Sequence, residues 1–316
     1  MKAYLLRRLV YLLPVWLGVS LLAFGLGRLA PGDPARDVLG RTTGRQPTER
    51  EVVTERHRLG LDRALPVQYL SWLRGAVRAD LGTSYTTGEP VSQAIGRTLP
   101  ATLELAGAAF LLAVAIGLPL GLLAAAKSWT WVDHLIRAAA LLGASIPAFW
   151  LGYLLILAFA VNTHLLPAFG PGGPSHLVLP ACTLALFDLA MLARLTRAAM
   201  LETLGEDYVQ TARAKGLREW ETLVRHALRA ALVPLVTWTG MSFGFLFGYS
   251  VVVETVFAWP GLGYATVLAV QARDYPFLQA FVLLMGTLFV LLNLGVDVAY
   301  TWVDPRLRLG RALAAG

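Results

Sequence analysis

The chain has few groups that could react or ligate a metal. It contains one cysteine, Cys182, and five histidines scattered through 316 residues. A single cysteine excludes a disulfide within the chain, and no histidine spacing puts two ligands on one helix turn, so the sequence predicts no metal site. No convincing nucleophile–base pair is present, and we assign no catalytic residues.

Charge is also scarce. Only 15% of the residues are charged, 56% are hydrophobic, and the mean hydropathy is +0.60. This composition is too apolar for a soluble domain and indicates a membrane protein. The formal net charge of +7 is typical of loops beside lipid head groups, so we expect membrane lipid and no nucleic acid among its contacts.

Long apolar runs define the expected architecture. They cover about Leu9–Leu29, Leu99–Ala126, Leu135–Val161, Leu177–Leu195, Ala231–Phe257 and Phe277–Val303. The first run, at about 20 residues, is too long for a signal-peptide core. We expect an all-α membrane protein with about six transmembrane helices. The expected domains are an N-terminal transmembrane helix over 1–30, a helical extracytoplasmic segment over 31–97 with a capping box at Thr48–Glu51, and a permease-like core over 98–316.

Basic residues predict the orientation. They crowd the loop at about 201–230 and follow the last apolar run, whereas the loop over 162–176 has neither Lys nor Arg. The positive-inside rule therefore puts both termini and the 201–230 loop in the cytoplasm. The 31–97 segment lies outside in this scheme. It is rich in arginine, but at roughly 65 residues it is about as long as the loops to which the rule no longer applies.

Small residues recur on helix faces inside the predicted spans. Gly240, Gly244 and Gly248 share one face, and Gly117 and Gly121 repeat the pattern. Such faces allow close packing of helix backbones. We expect tight helix packing at these positions, with the lining of a moving gate as the alternative. Pro14, Pro119 and Pro147 also fall inside spans, where neighbouring helices can tolerate them as kinks.

One acidic residue lies centrally in a span. Asp188 is in the fourth apolar run, and ionisable groups at such depth are costly and point to function. It either faces a solute pathway or acts as a proton relay. Ser145 is the nearest approach to an embedded nucleophile, but no histidine matches its depth, so packing beside Pro147 explains it better.

The segment from Glu206 to Pro234 differs from its surroundings. It is charged and amphipathic, lies between two apolar runs and has Gly216 near its middle. In the loop from Leu201 to Arg229, which includes most of this segment, the first part from Glu202 to Arg213 can be helical, with acids towards its start as the helix dipole prefers. Gly216 can adopt a positive φ at a turn. Beyond it, Trp220, Leu223, Val224 and Ala227 recur at helical spacing. The pattern alone fits either a lipid-surface helix pair or a docking site.

A near match to a phosphate-binding loop begins at Gly121 and ends at Lys127-Ser128. Ala126 stands where the pattern has its second glycine, and the segment ends an apolar helix, which has no free backbone N–H groups to cradle phosphate. If ATP drives this protein, another subunit binds it.

Short motifs along the whole chain resemble those of a known family. They are Ala30-Pro31-Gly32-Asp33-Pro34, Leu59-Gly60-Leu61-Asp62, Pro66-Val67-Gln68-Tyr69, Asp80-Leu81-Gly82-Thr83-Ser84, Leu99-Pro100-Ala101-Thr102-Leu103-Glu104-Leu105, Ser145-Ile146-Pro147-Ala148-Phe149, Ala193-Arg194-Leu195-Thr196-Arg197, Glu254-Thr255-Val256-Phe257, Trp259-Pro260-Gly261-Leu262-Gly263 and Asp304-Pro305-Arg306. The chain resembles ABC importer membrane permeases of the peptide/nickel (oligopeptide–dipeptide) class. Its long first outer loop is similar to that of the first of the two permeases in such systems.

This resemblance implies a type I ABC importer permease fold and transport by alternating access, with no catalysis by the chain itself. It implies a homologous second permease, two ATPase subunits that hold ATP and magnesium, an extracytoplasmic substrate-binding protein, and a bacterial or archaeal cytoplasmic (inner) membrane. The ATPase-coupling loop of the family maps onto Gln210, Thr211, Ala212, Arg213, Ala214, Lys215, Gly216 and Leu217. Gln210-Thr211-Ala212 replace the usual Glu-Ala-Ala, and Asp188 falls where the family leads us to expect an uncharged residue.

Two other functions compete with this interpretation. A proton-coupled secondary transporter would use Asp188, and a membrane-embedded hydrolase would use Ser145. The transported ligand stays open between dipeptide, oligopeptide, nickel, glutathione and sugar. The sequence also leaves open whether the partner permease is a different chain or a second copy.

Overall fold

The structure is a computed structural model that describes residues 2–29 and 33–303. Within them, side chains are described except at residues 2–12, 28–29, 41–42, 226, 233 and 296–303. The motif residues 30–32 and 304–306 and the C-terminal Gly316 lie outside the described residues. The described chain is helical apart from turns and one isolated bridge between Thr83 and Pro90. The predicted all-α fold is confirmed.

Thirteen helices are found in the described residues. They are α1 (Lys2–Leu29), α2 (Pro34–Thr43), α3 (Glu49–Arg58), α4 (Leu65–Val77), α5 (Val91–Ala126), α6 (Trp131–Ser145), α7 (Ala148–Leu155), α8 (Pro174–Leu204), α9 (Asp207–Ala214), α10 (Glu219–Glu221), α11 (Leu228–Val256), α12 (Leu262–Gln271) and α13 (Tyr275–Val303). Two π-helical segments, Ile156–Asn162 and Thr222–Ala227, continue α7 and α10.

Four helices are long and apolar enough to cross a membrane. They are Val91–Ala126, Pro174–Leu204, Pro234–Val256 and Tyr275–Gly295. The pair Trp131–Ser145 and Ala148–Asn162 makes a fifth if it counts as one span. Within α1, the residues whose side chains are described form a shorter apolar helix, Leu13–Gly27. The sequence-based count of about six spans includes α1 as a further span in addition to these five.

The apolar run predicted over Leu135–Val161 forms two helices with a sharp bend between them. The two helices that form it meet at an angle of 104°. Pro147 causes the break, because proline disfavours the helical conformation in the residue before it and has no N–H to continue the ladder. Ile146 is accordingly extended, at φ −81° and ψ 123°.

The chain divides into two compact units. The first comprises Met1–Ala101 and Tyr264–Val290. Within it α1 packs on α4, where the Phe24 and Tyr69 rings meet edge to face at 5.5 Å. The predicted capping box at the start of α3 is present, with the Thr48 N–H donating to Glu51 Oε2 at 2.8 Å. Arg45 and this cap together lower the pKa of Glu51 to about 2.

The second unit comprises Thr102–Gly263 and Leu291–Gly316. Helix α8 lies at its centre, against α6, α7 and α11. Helix α5 also approaches α8 closely, and its two spaced glycines make this possible. A Cβ at Gly121 would lie 2.5 Å from Thr196 Cβ, and one at Gly117 would lie 2.8 Å from the Leu189 carbonyl oxygen. The predicted packing role of Gly117 and Gly121 is confirmed.

Candidate functional site

The amphipathic loop between α8 and α11 begins with a turn. Helix α8 runs on to Leu204, and α9 starts only at Asp207. The segment Glu202–Arg213, predicted to be helical, is therefore helical on both sides of a break at residues 205–206. Gly205 has low helix propensity, and Glu206 leaves the helical region at φ −72° and ψ 144°. The loop thus carries a separate two-turn helix, α9, which a short turn joins to the end of α8.

Helix α9 presents two different faces. Val209 and Ala212 are buried against the protein's own chain, with 0% and 6% of their surface exposed. The remaining coupling-loop residues Gln210, Thr211, Arg213, Ala214, Lys215 and Gly216 are exposed, and Leu217 is half-buried. The small side chain of Ala212 therefore fits the chain's own interior, and only Ala214 offers a small exposed side chain for close approach by another molecule.

Gly216 ends α9 in a left-handed conformation, with φ +81°. The Gly216 N–H donates to the Arg213 carbonyl at 2.9 Å, and the Leu217 N–H donates to the Ala212 carbonyl at 3.4 Å. These two bonds form a Schellman motif, which satisfies the last carbonyls of a helix and favours glycine at this position. The predicted positive φ at Gly216 is confirmed.

The part of the loop that follows Gly216 is packed against the helix bundle. Arg213 pairs with Glu219 across the Gly216 turn, with Nη2 to Oε1 at 2.6 Å. The predicted second amphipathic helix is α10 with the π-helical segment, and it continues into α11 without a break. Its buried residues Leu223 and Ala227 join Met200 of α8 and Ala125 of α5 in one apolar cluster. The second half of the loop is therefore packed against three of the long helices, α5, α8 and α11.

A buried ion pair joins α6 to α8. Arg197 holds Asp133 with two bonds, Nε to Oδ1 at 2.6 Å and Nη2 to Oδ2 at 2.7 Å. Asp133 also accepts the Trp129 N–H at 3.0 Å, and its side chain is 0% exposed. Sequence reasoning missed this pair, because the partners are 64 residues apart and nothing local marks Asp133 as paired.

A second buried carboxylate anchors the end of α11. Glu254 is 0% exposed, and its Oε1 accepts a hydrogen bond from Thr102 Oγ1 at 2.7 Å. The same hydroxyl oxygen accepts the Leu262 N–H at 2.7 Å. A Cβ at Gly261 would lie 2.4 Å from Glu254 Oε2, so the carboxylate packs directly on the turn after α11. Glu254 thus anchors the turn that follows α11.

Asp188 lies on α8 and lines a cavity of about 250 Å³. Its own surface is 7% exposed. The cavity is bounded by the broken helix pair α6 and α7 and by α11. Ser145 is exposed at the end of α6, and its hydroxyl donates to the Leu141 carbonyl at 2.8 Å. This bond within its own helix gives no sign of nucleophile activation.

The glycine face of α11 behaves differently from that of α5. Gly248 is exposed, and a Cβ there would meet nothing within 4 Å. Gly240 lines a separate, largely apolar cavity, and Gly244 is half-buried. Packing of Gly240, Gly244 and Gly248 against another helix stays a prediction about the assembled protein. The phosphate-loop-like segment after Gly121 lies in α5 up to Ala126, in agreement with its exclusion as a nucleotide site.

Long apolar helices, a small-residue helix interface and an exposed charged loop define a polytopic helical membrane protein. Two family models match nearly all of the chain. The binding-protein-dependent transport system inner membrane component matches residues 117–309, and the N-terminal domain of the same kind of membrane component matches residues 1–106. The chain belongs to the binding-protein-dependent transport system inner membrane component family.

Individual relatives agree with this family. The protein named "Probable peptide ABC transporter permease protein y4tP" of Sinorhizobium fredii is 42% identical, over 98% of this chain and all of its own length. The dipeptide transport system permease protein DppB of Escherichia coli is 38% identical, over 98% of this chain and 99% of its own. The inward-facing MetNI methionine ABC transporter shares the fold, with a TM-score of 0.55 at 22% identity over 68% of this chain and 99% of that one.

The chain is thus an ABC importer permease, a transport subunit and not an enzyme. Such a subunit works in a membrane complex with an ATPase and other subunits. The comparisons support neither the proton-coupled transporter with Asp188 nor the embedded hydrolase with Ser145.

Proposed function

We propose that this permease carries peptides or related small solutes across a bacterial or archaeal cytoplasmic membrane. Relatives at about 40% identity over almost the full chain are named for peptides and dipeptides, which supports this solute class. The complex comprises a homologous second permease, two ATPase subunits that bind ATP and magnesium, and an extracytoplasmic binding protein that delivers the solute. The permease itself supplies the path and the coupling.

Both termini and the loop around α9 face the cytoplasm in this proposal, and residues 31–97 face outwards. The charge distribution of the short loops supports this orientation. Labelling with a membrane-impermeant thiol reagent tests it in a Cys182→Ala background. Arg50→Cys, on an exposed position of α3, should react from outside sealed cells. Arg218→Cys, on an exposed position beside Gly216, should react only after the membrane is opened, and its labelling from outside would refute the orientation.

The exposed part of the loop from Gln210 to Leu217 is the proposed contact with the ATPase subunits. The observation that carries this proposal is the combination of an exposed α9 with a buried anchor at Leu223, Ala227 and Met200. An ATPase that holds the loop differently in its ATP-bound and ATP-free states would move α8 and α11 with it. Such differential binding is what alternating access requires.

Reconstitution tests the function directly. The permease pair, the ATPase pair and the binding protein are assembled in liposomes, and uptake of labelled dialanine is followed with ATP inside or outside. Uptake should need ATP on the side of the α9 loop, and it should need the binding protein on the opposite side. Uptake that follows a proton gradient without ATP would contradict the proposal.

The glycine face of α11 is proposed to contact the second permease. Gly248 has open space around it, and small residues on exposed faces of membrane helices commonly serve close helix–helix contact. The same face is available as a gate that opens when the two permeases move apart. Gly240 and Gly244 extend this face by two helical turns.

A further inference from the structure

Asp188 is a buried acid without a counter-charge. It is 7% exposed, and among the residues that the structure describes none forms a hydrogen bond or an ion pair with its carboxylate. By contrast, the other two buried acids among the described side chains of the second unit, Asp133 and Glu254, each have a bonded partner. Asp188 therefore differs from the acids that hold this unit together.

The surroundings of Asp188 offer no compensation. The lining of its cavity contains no Lys, Arg or His, and apart from Thr183 and Tyr249 its other side chains are apolar. The Thr183 hydroxyl already donates to the Leu179 carbonyl at 2.8 Å. A carboxylate left unpaired in apolar surroundings is expensive, and one inside a membrane span almost always faces a partner or a water-filled cavity. Nothing in the described lining of the cavity compensates an ionised Asp188, so a cation that pairs with it has to come from outside the described residues.

Aromatic rings stand at the same cavity. Phe187 and Tyr249 have ring centroids 6.4 Å apart, and both are partly exposed, at 44% and 57%. Phe149, on the first turn of α7, adds a third ring. Aromatic faces attract cations that lie within about 6 Å of their centroids. The carboxylate and the rings together favour the binding of a cationic group in this cavity and disfavour the binding of an anionic one.

We propose that this cavity binds the ammonium group of the transported solute, such as the free amino terminus of a peptide. The inference rests on the proposed function, because it takes the cavity to open on the solute path. A volume of about 250 Å³ corresponds to roughly eight waters at about 30 Å³ each. It therefore has room for the charged end of a solute. The site selects the charged end and tolerates variation beyond it.

The test uses thiol protection in the complete reconstituted complex. Val252 lines the cavity and is 43% exposed, so Val252→Cys in a Cys182→Ala background reports occupancy through its rate of alkylation by a maleimide. The probes are dialanine and N-acetyl-dialanine, which differ in the free ammonium group. Dialanine should slow alkylation, and N-acetyl-dialanine at the same concentration should not.

Two further variants isolate the charge. Asp188→Asn keeps the shape and should raise the half-protecting concentration of dialanine roughly tenfold or more, since a charged hydrogen bond is lost. Asp188→Glu keeps the charge and should still distinguish the two probes. Thr183→Val is the matched control on the same helix and cavity, because it removes a hydroxyl and no charge, and it should leave protection unchanged.

Equal protection by both probes, or full protection in Asp188→Asn, would overturn the inference. Loss of the second permease on purification of Asp188→Asn, but not of Thr183→Val, would also overturn it, because the carboxylate would then pair with that subunit. Protection from alkylation is measured without ATP. If dialanine gives no protection but ATP-driven uptake is intact, this site alone is refuted. Absence of ATP-driven uptake refutes the proposed function instead.

Discussion

Removal of Arg197 should destabilise the permease more than removal of any exposed arginine on α8. Asp133 is 0% exposed and Arg197 is 16% exposed, and two bonds of 2.6 and 2.7 Å join them. Deletion of one partner of a buried pair costs about 3–5 kcal/mol, since it leaves a buried charge without compensation. Arg137 lies one helical turn from Asp133 on α6 and supplies part of the lost charge. We therefore expect a loss of about 3 kcal/mol for Arg197→Met.

The assay is unfolding of the purified permease in mixed micelles with increasing SDS, followed by tryptophan fluorescence. Arg194→Met is the matched control, because Arg194 lies on the same helix but is exposed. A surface change of this kind should alter the free energy of unfolding by no more than about 0.5 kcal/mol.

A double variant separates charge from packing. Asp133→Asn combined with Arg197→Met removes both charges and keeps an oxygen for the Trp129 N–H. It should regain at least about 1 kcal/mol, since a neutral amide is cheaper to bury than a carboxylate. Equal stability of Arg197→Met and Arg194→Met, or a double variant that is less stable than Arg197→Met, would refute the argument.

Two more predictions concern the second unit. Thr102→Val removes the hydroxyl that bonds both Glu254 and the Leu262 N–H, so the free energy of unfolding in the same assay should fall by about 2–4 kcal/mol; a change below about 0.5 kcal/mol would contradict it. Gly121→Ala puts a Cβ 2.6 Å from the Ala193 carbonyl oxygen and should cost about 1–3 kcal/mol. Its control is Gly107→Ala on the same helix, where a Cβ meets nothing within 4 Å. This control should be neutral or stabilising. Equal effects of the two alanine substitutions on the free energy of unfolding would refute close packing at Gly121.

Features that depend on a few neighbouring residues could be predicted from the sequence. The Thr48–Glu51 cap, the positive φ at Gly216 and the small-residue contact at Gly117 and Gly121 are all present. Each follows from a local rule: a side chain that bonds a free N–H, a residue without Cβ at a helix end, or small residues on one helix face. The long apolar runs likewise predicted the long helices.

Features that depend on tertiary contacts could not be predicted in this way. The Asp133–Arg197 pair joins residues that only packing of α6 on α8 brings together. The burial of Ala212 depends on how α9 lies against the bundle, and a small residue fits an own-chain contact as well as a docking surface. The 104° bend at Ile146 had a local signal in Pro147. Membrane helices often tolerate proline without a break, so Pro147 alone did not predict whether the helix would bend.

The same distinction between local and tertiary features applies to the residues of the candidate site. The coupling loop was proposed from the resemblance to importer permeases, because its charge and central glycine alone fit a lipid-surface helix pair equally well. Its anchor at Met200, Leu223 and Ala227 required the fold. Asp188 was visible as an acid within a span. Its aromatic neighbours Phe187 and Tyr249 could not be connected to it, because they reach the cavity from α8 and α11 only when these helices pack.

The central claim is that the α9–Gly216 loop couples this permease to its ATPases, and Gly216→Val tests it most directly. A Cβ at Gly216 would meet no neighbouring atom within 4 Å, but valine forces a β-branched residue to φ +81°, at a cost of about 1–3 kcal/mol. Gly205→Ala in the same loop, at φ −79°, is the matched control. The measurement is co-purification of the ATPase pair together with solute-stimulated ATP turnover in liposomes. We predict that Gly216→Val inserts normally but loses ATPase binding or stimulated turnover, whereas Gly205→Ala keeps both. A Gly216→Val complex that binds its ATPases and couples turnover to uptake like the parent would contradict the account.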